Sequence, residues 1–451
     1  MALFPLVARA GALADIDAAL AAARASRGSL VLVTGEPGIG KSRLLAEAAD
    51  RARGFRAVRS WCPPAATGAA LRPWSQVVRA LAGADTTAAR LVSDSPYLTG
   101  LAAAGQRLPG DPEGARSQLA FDLAGLVAAT AARRPVLLII DDLHDADASS
   151  LRLLAELAPS LRGTPAVVLG AARDSDLAWQ DRLGVRGTLM QLALTIGLQP
   201  LTPAEVAGLI SADTGRPADP DLARMVCDRS GGNPFLATEL IRQLAGRPGA
   251  AAAAESQVPG SVRAIAAARL AELPERAREA VAAAAVAGTR FRLDVLAEIT
   301  GIPLAGLGGA LADAHRAGLL AGGEAGEDRF RHDLIRDAIY DTIPAPARAA
   351  LHARAGAVLA SFADRGRDVA AAEAAHHLAL AGPEAAGQAA EYARRAGDRA
   401  VTALAFEDAA RWYERAEAGL SRLGADPPRR AEAALALGGA RLAAGDRPGA
   451  R

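Results

Sequence analysis

The chain has 451 residues, of which 51% are hydrophobic, with a net charge of +1. That length exceeds one ordinary domain, and two to four are expected. The near-neutral balance excludes a global field that would draw the protein onto nucleic acid. No run of about 18 apolar residues is free of charge, so no membrane span is expected. The segment from Met1 to Arg9 lacks the basic start and apolar core of a signal peptide, and a cytoplasmic location is expected. Cys62 and Cys227 form neither a disulfide framework nor a metal pattern and read as two ordinary thiols. Aromatics are only 4%, so the cores must be built mainly from Ala, Leu and Val, and alanine favours helices.

Leu30–Thr34 is a short apolar run that reads as a buried strand. Gly35, Glu36, Pro37, Gly38, Ile39, Gly40, Lys41 and Ser42 follow at once, and a helical stretch begins with Arg43. Strand, glycine-rich loop and helix together are the setting of a Walker A loop. Lys41 is the only lysine in the chain; every other basic residue is arginine. A compact ammonium fits a crowded phosphate where a planar guanidinium does not. The loop predicts an ATP or ADP site. In it Lys41 reaches the β- and γ-phosphates and the Ser42 hydroxyl binds Mg2+.

Four further strands are predicted, at Phe55–Ser60, Val136–Ile140, Ala166–Ala171 and Leu189–Ile196, separated by helical stretches. The fold class expected is an α/β P-loop NTPase domain with a five-stranded parallel sheet. The third strand ends in Asp141-Asp142. In a parallel sheet that end lies beside the first strand's loop. Asp141 is therefore the candidate Mg2+ ligand, and Asp142 the group that orients or deprotonates the attacking water. Arg173, after the fourth strand, is a candidate sensor of the γ-phosphate. Residues 85–116, rich in Gly, Pro, Ser, Thr and Asp, read as a loop or insertion.

Beyond residue 200 no strand-like run is expected for a long stretch. Helices are predicted at 203–211, 219–229 and 234–244, with Gly231-Gly232-Asn233-Pro234 as a break before the last. Residues 246–257 read as a linker. Short helices from 258 to 344 precede 318–332, which reads as a hairpin, and together they suggest a winged helix. No basic cluster lies on one of its predicted helices, so a packing role is expected rather than DNA binding. From Arg348 only helices are expected. Residues 388–404 and 406–420 form a helical hairpin carrying Tyr392, Phe406, Trp412 and Tyr413. Ala396-Gly397 is echoed by Leu437-Gly438, an offset of 438 − 397 = 41 residues, as in a helical repeat. The chain stops inside what would be the next helical hairpin, with no capping repeat visible. His376-His377 reads as two histidines on a helix surface rather than a metal site. The domain boundaries expected are 1–200 for the ATPase, 201–257 for a lid and linker, 258–347 for the winged-helix-like part, and 348–451 for incomplete repeats.

Taken together, these motifs resemble the signal-transduction ATPases with numerous domains. The resemblance is nearest to the large LuxR-type regulators related to the maltose regulator. It rests on Leu6-Val7-Ala8-Arg9, on Val31–Leu45, on Leu138–Asp147, on Leu198-Gln199-Pro200-Leu201, on Gly231–Phe235 and on Phe330–Arg336. Ala8, Ala10 and Asp145 depart from that family's usual residues. The resemblance implies nucleotide contacts from Arg9, Arg43 and Pro200, and from His332 of the winged-helix segment. It also implies a switch that an inducer, a small molecule or a protein, opens by acting at the helical repeats. The ATP form would self-associate and control transcription, with weak ATP hydrolysis. No helix-turn-helix is visible in 348–451, so no specific DNA binding by this chain alone is expected. The alternatives are a DNA-handling AAA+ ATPase of the replication-initiator type and a scaffold that holds nucleotide without hydrolysing it.

Overall fold

The computed structural model describes residues 6–63, 70–103, 112–173, 185–245, 262–323, 326–366, 370–424 and 427–450. They form two compact units. One comprises Met1–Ala10, Glu36–Gly40 and Leu198–Val358; the other comprises Gly11–Gly35, Lys41–Gly197 and Leu359–Arg451. The linker expected at 246–257 lies outside the described residues.

The second unit contains a five-stranded parallel sheet: β1 (Ser29–Thr34), β2 (Arg56–Trp61), β3 (Val136–Asp141), β4 (Ala166–Ala172) and β5 (Ala193–Gly197). Their spatial order is β2-β3-β4-β1-β5. β1, β3 and β4 are apolar almost throughout and buried along their length, as central parallel strands must be. This order corrects one expectation: β4 separates the acidic end of β3 from β1. The fifth strand is also shorter than predicted. Residues 189–192 belong to a helix, Val185–Leu192, and the strand starts only at Ala193. An apolar run does not distinguish a buried strand from a buried helical turn. Most of the described part of the expected 85–116 loop is helical too, in Thr86–Asp94, Pro96–Ala103 and the start of Pro112–Arg133. Asp85 caps the first of these by accepting from the Thr87 and Ala88 N–H groups. The polar residues there start helices rather than fill a loop.

Four helices of the same unit, Ala370–Ala381, Ala386–Thr402, Phe406–Arg422 and Pro427–Ala443, pack in sequence. Gly397 leaves room for the Tyr413 ring, which a Cβ at 397 would meet at 2.6 Å, and the Tyr413 hydroxyl donates to Asp398 at 2.7 Å. His377 is buried, against the expectation of a surface pair, because its side of the Ala370–Ala381 helix faces neighbouring helices.

The first turn of the Phe406–Arg422 helix docks on the N-terminus of the helix Ala148–Leu157. Glu407 accepts from Arg116 at 2.8 Å and from the Ser149 hydroxyl at 2.9 Å, and also pairs with Arg152. Burial pushes its pKa up, but the two guanidiniums more than offset this and hold it below the ordinary value. Asp408, which pairs with Arg411, accepts from the Ser149 N–H at 3.2 Å. Beside it Asp147 caps the helix through Ser150 N–H at 2.8 Å and accepts from the Leu71 N–H at 3.2 Å. Burial, together with the Asp408 charge, raises the Asp147 pKa to about 8.

The first unit opens with three helices, Pro203–Thr214, Pro220–Ser230 and Pro234–Ala245. Each begins with proline behind a polar cap. Thr202 forms a capping box with Glu205, Asp219 accepts from Asp221 N–H, and Asn233 accepts from Phe235 N–H. Gly215 and Gly231 end the first two in left-handed turns. Val206, Leu209, Ile210, Val226, Leu240 and Ile241 form their shared core. Further helices, Val262–Ala271, Glu275–Ala287, Leu293–Thr300, Leu304–Arg316 and Asp333–Thr342, surround a small sheet. The hairpin expected at 318–332 is present as the antiparallel bridge between Leu320 and Phe330. Its outer arm, β7 (Glu327–Arg329), also pairs with an unforeseen strand, β6 (Arg290–Arg292). Three residues are too few for a periodic signal in sequence. Among the described residues no single helix is long and apolar enough to cross a membrane.

The unfolded chain releases the Asp147 proton near the ordinary 3.8, the folded chain near 8. Stability from this proton is therefore complete below about pH 4 and gone once pH passes about 8. Asp147→Asn keeps a capping side chain but cannot ionise. Its Tm relative to wild type should rise across that window and level off above it; a difference independent of pH would refute the assignment.

Candidate functional site

β1 ends at Thr34 and the next helix starts at Lys41. Between them Gly35, Gly38 and Gly40 take φ values of 147°, 82° and 102°, a region that favours glycine. The glycine spacing read in sequence is thus a backbone requirement. The first N–H groups of the helix have no acceptor within it, and its dipole adds partial positive charge there. Such an end binds phosphate groups. Lys41 is 9% exposed and its Nζ donates to the Gly35 carbonyl at 2.8 Å, which holds the ammonium over the loop's first residue. Ser42 is exposed in the first turn, and Arg43 pairs with Glu47 at 3.2 Å along the helix.

The carbonyls of the loop are occupied by donors of the first unit. Asn233 Nδ2 donates to Pro37 O at 2.8 Å, the Phe235 N–H to Gly38 O at 3.3 Å, and Arg9 Nη2 to Ile39 O at 3.1 Å. A Cβ on Gly38 would stand 2.8 Å from the Asn233 amide oxygen. Arg9 is buried; desolvation lowers its pKa, and the Glu205 charge acts in the opposite direction. Pro200, exposed, meets Gly232, and the Leu201 N–H donates to the Gly232 carbonyl at 2.7 Å. His332 caps the Asp333–Thr342 helix through Nδ1 and stacks on Phe235, with ring centroids 4.3 Å apart. The sequence reading placed Arg9, Pro200 and His332 near the nucleotide. Pro200 and His332 lie against the segment Gly232–Phe235, and Arg9 reaches the loop itself.

At the sheet edge of the second unit, Thr34 of β1 pairs with Ala172 of β4, and Gly170 of β4 with Ile140 of β3. Gly35, Arg173 and Asp141-Asp142 therefore leave their strands at the same edge. Asp141 ends β3, and its Oδ1 accepts from the Asp142 N–H at 3.0 Å. Asp142 turns the chain at φ 57°, a left-handed conformation that Asp tolerates better than most residues. Leu143 then packs over Gly170, where a Cβ would meet it at 2.3 Å. The acidic turn is thus fixed by a missing side chain on the neighbouring strand. Ser42 and Asp141 offer hard oxygen donors, which suit Mg2+.

Asn233 and Phe235 were not among the predicted site residues. The break Gly231–Pro234 was visible in sequence. The burial of the asparagine, 9% exposed, and its bond to Pro37 were not, because the partner lies 196 residues away.

Residues 5–169 match the family model of an AAA ATPase domain. The chain carries an AAA ATPase domain. An uncharacterised protein of Rhizobium meliloti is 30% identical over 387 residues, which cover 78% of this chain and 36% of that protein. A signal transduction ATPase with numerous domains and a tetratricopeptide repeat sensor, from Pyrococcus horikoshii, matches with a TM-score of 0.52 at 14% identity. That match covers 96% of this chain and 62% of the other, and shows a shared fold. The ORC2 protein of Aeropyrum pernix matches at 13% identity and TM-score 0.37, over 79% of this chain and 95% of the other. The chain spans about a third of the length of its curated relative.

Asn233→Ala removes a helix cap and a bond to the loop. It should cost about 1–3 kcal/mol in denaturant unfolding and weaken nucleotide binding. Stability and binding equal to wild type would show that the asparagine does not hold the loop.

Proposed function

We propose that the chain is the nucleotide-binding part of a slowly hydrolysing ATPase switch. The carrying observation is that Asn233, Phe235 and Arg9 hold the carbonyls of Pro37, Gly38 and Ile39, while Lys41 stands over Gly35. A loop whose carbonyls are engaged presents its N–H groups to phosphate, and Lys41 adds the charge that β- and γ-phosphates need. Ser42 and Asp141 would hold Mg2+, which neutralises charge on the phosphate oxygens. Asp142 positions or deprotonates the attacking water, and Arg173 senses the γ-phosphate from the end of β4.

Phe235 and His332 supply the switch element in this reading. His332 begins one helix and stacks on the first turn of another whose cap binds the loop. Nucleotide then shifts the population between packings of these helices by binding one of them better. The Phe330–Arg336 segment and its hairpin are read here as a winged helix. The resemblance to LuxR-type regulators extends the proposal to an inducer acting at the helical repeats, self-association with ATP, and transcription control in a cytoplasmic protein.

The test is to purify the chain, denature it and identify what is released. ADP supports a resting switch; no nucleotide in protein whose binding is also absent on titration overturns it. Lys41→Ala should abolish retention, because the phosphates lose their main cationic partner. A variant that kept nucleotide as well as wild type would remove Lys41 from this role. Single-turnover assays should show hydrolysis in wild type and its loss in Asp142→Asn.

A further inference from the structure

The sheet of the second unit carries its acidic turn where β3 ends. Where the strands begin, the charge is of the opposite sign. Residues 24–28, 51–55, 133–135 and 162–165 lead into β1, β2, β3 and β4, and these segments hold arginines but no Asp or Glu. Contacts join them into one row. Backbone pairing sets Arg27 beside Arg162. Arg24 donates to the Arg53 carbonyl at 3.0 Å, and Arg134 to the Gly54 carbonyl at 3.1 Å. The N–H of Arg56, the first residue of β2, donates to the Pro135 carbonyl at 2.7 Å.

Arg24, Arg27, Arg53, Arg133, Arg134 and Arg162 are exposed, and Arg56 is half-buried. None of them makes an ion pair among the described residues. The side-chain hydrogen bonds they make go to carbonyls or, from Arg133, to the Thr87 hydroxyl at 2.7 Å. Arg51 differs, since Glu47 and Asp17 hold it at 3.2 and 3.4 Å. Asp85, whose pKa is lowered first by the Ala88 N–H, also feels the charges of Arg133 and Arg56. Helix dipoles account for Arg24 and Arg133, which stand in last turns. They do not account for Arg27, Arg53 and Arg162, which stand in the connections. Like charges gathered on one face repel one another and raise the local potential.

We propose that this row binds the phosphate backbone of double-stranded DNA without reading its sequence. β2, β3, β4 and β1 are neighbours in the sheet, and each has an arginine at its head: Arg56, Arg134, Arg162 and Arg27. The row crosses three strand spacings, about 14 Å, the axial rise of about four phosphates on one DNA strand. Arginine meets phosphate through planar, charge-assisted pairs. Phe55, the aromatic residue of these segments, is buried, with the Arg24 guanidinium 5.0 Å from its ring centre. No ring is therefore offered here for the base stacking on which single strands are held. No large apolar side chain of these segments is exposed to enter a lipid surface. The surface is separate from the Walker A loop and follows from neither its sequence nor the switch reading.

The probe is a labelled DNA duplex of two helical turns, in two unrelated sequences, read by fluorescence anisotropy with the full chain. Both duplexes should bind equally, and log K should fall with log salt at a slope of about −3.6 for four phosphates. Arg27→Gln combined with Arg162→Gln should weaken both complexes about tenfold or more near 0.1 M salt and flatten the slope by about 2. Should that pair fail to fold, Arg53→Gln alone should flatten the slope by about 1. Arg365→Gln combined with Arg422→Gln, exposed elsewhere in the same unit, should bind like wild type. Absence of binding at low salt overturns the proposal, as does an equal loss in the Arg365 and Arg422 variant. Row variants that bind like wild type, or a preference between the two sequences, overturn it too. Tighter binding to phosphatidylserine vesicles or to poly-glutamate than to DNA would assign the row to a lipid surface or an acidic protein instead.

Discussion

Three consecutive carbonyls decide what the glycine-rich loop can do. A peptide unit presents its N–H and C=O in opposite directions, so the face on which carbonyls are bound determines the face left for an anion. Pro37, Gly38 and Ile39 are each engaged, by an asparagine amide, a backbone N–H and an arginine. The loop's geometry is therefore imposed from residues distant in sequence on either side of it, Arg9 and Asn233–Phe235. Arg9 pays a desolvation cost to be there, visible in its lowered pKa, and that is consistent with a fixed positioning contact rather than a surface charge.

Asn233 also links two scales of structure. Its Oδ1 caps the Pro234–Ala245 helix while its Nδ2 holds Pro37. Rotation of that helix about its first turn cannot leave the loop untouched. Phe235, one residue into the helix, carries the His332 ring. One short segment thus joins the loop, the helix that starts there and the helix that His332 begins.

Much of this was legible where the physics is local. Lys41, the glycines and the apolar runs of β1, β3 and β4 identify themselves, because a phosphate loop and a buried parallel strand each demand a narrow set of residues. The order of the strands was not legible: nothing in Val136–Asp141 or Ala166–Ala172 says which lies next to β1. Nor was the shift of the fifth strand, since Leu189–Leu192 is equally apolar as helix or strand. The helices in 86–103 were hidden by their own caps, as Asp85 and Ser95 look like loop residues until the N–H groups they serve are seen. Asn233 and the β6 strand depend on partners far along the chain, which no local pattern encodes.

The acidic turn and the helical repeats meet within a few residues of chain. Asp141 belongs to the sheet, Leu143 is seated over Gly170, and Asp147, 147 − 141 = 6 residues on, begins the helix on which Glu407 and Asp408 dock. The docking is both apolar and charged: Leu404 and Phe406 cluster with Ala115, two arginines meet Glu407, one serine serves both acids, and burial beside the Asp408 charge favours the protonated form of Asp147. Charge pairs of this kind are costly to break singly, since removing one partner strands the other in a buried place. The contacts cover the N-terminus of the helix that follows Asp141-Asp142. Spatial intermediacy alone is no proof of coupling. What this junction supplies is a continuous set of packed and hydrogen-bonded side chains between the repeats and the helix that follows the Asp141-Asp142 turn.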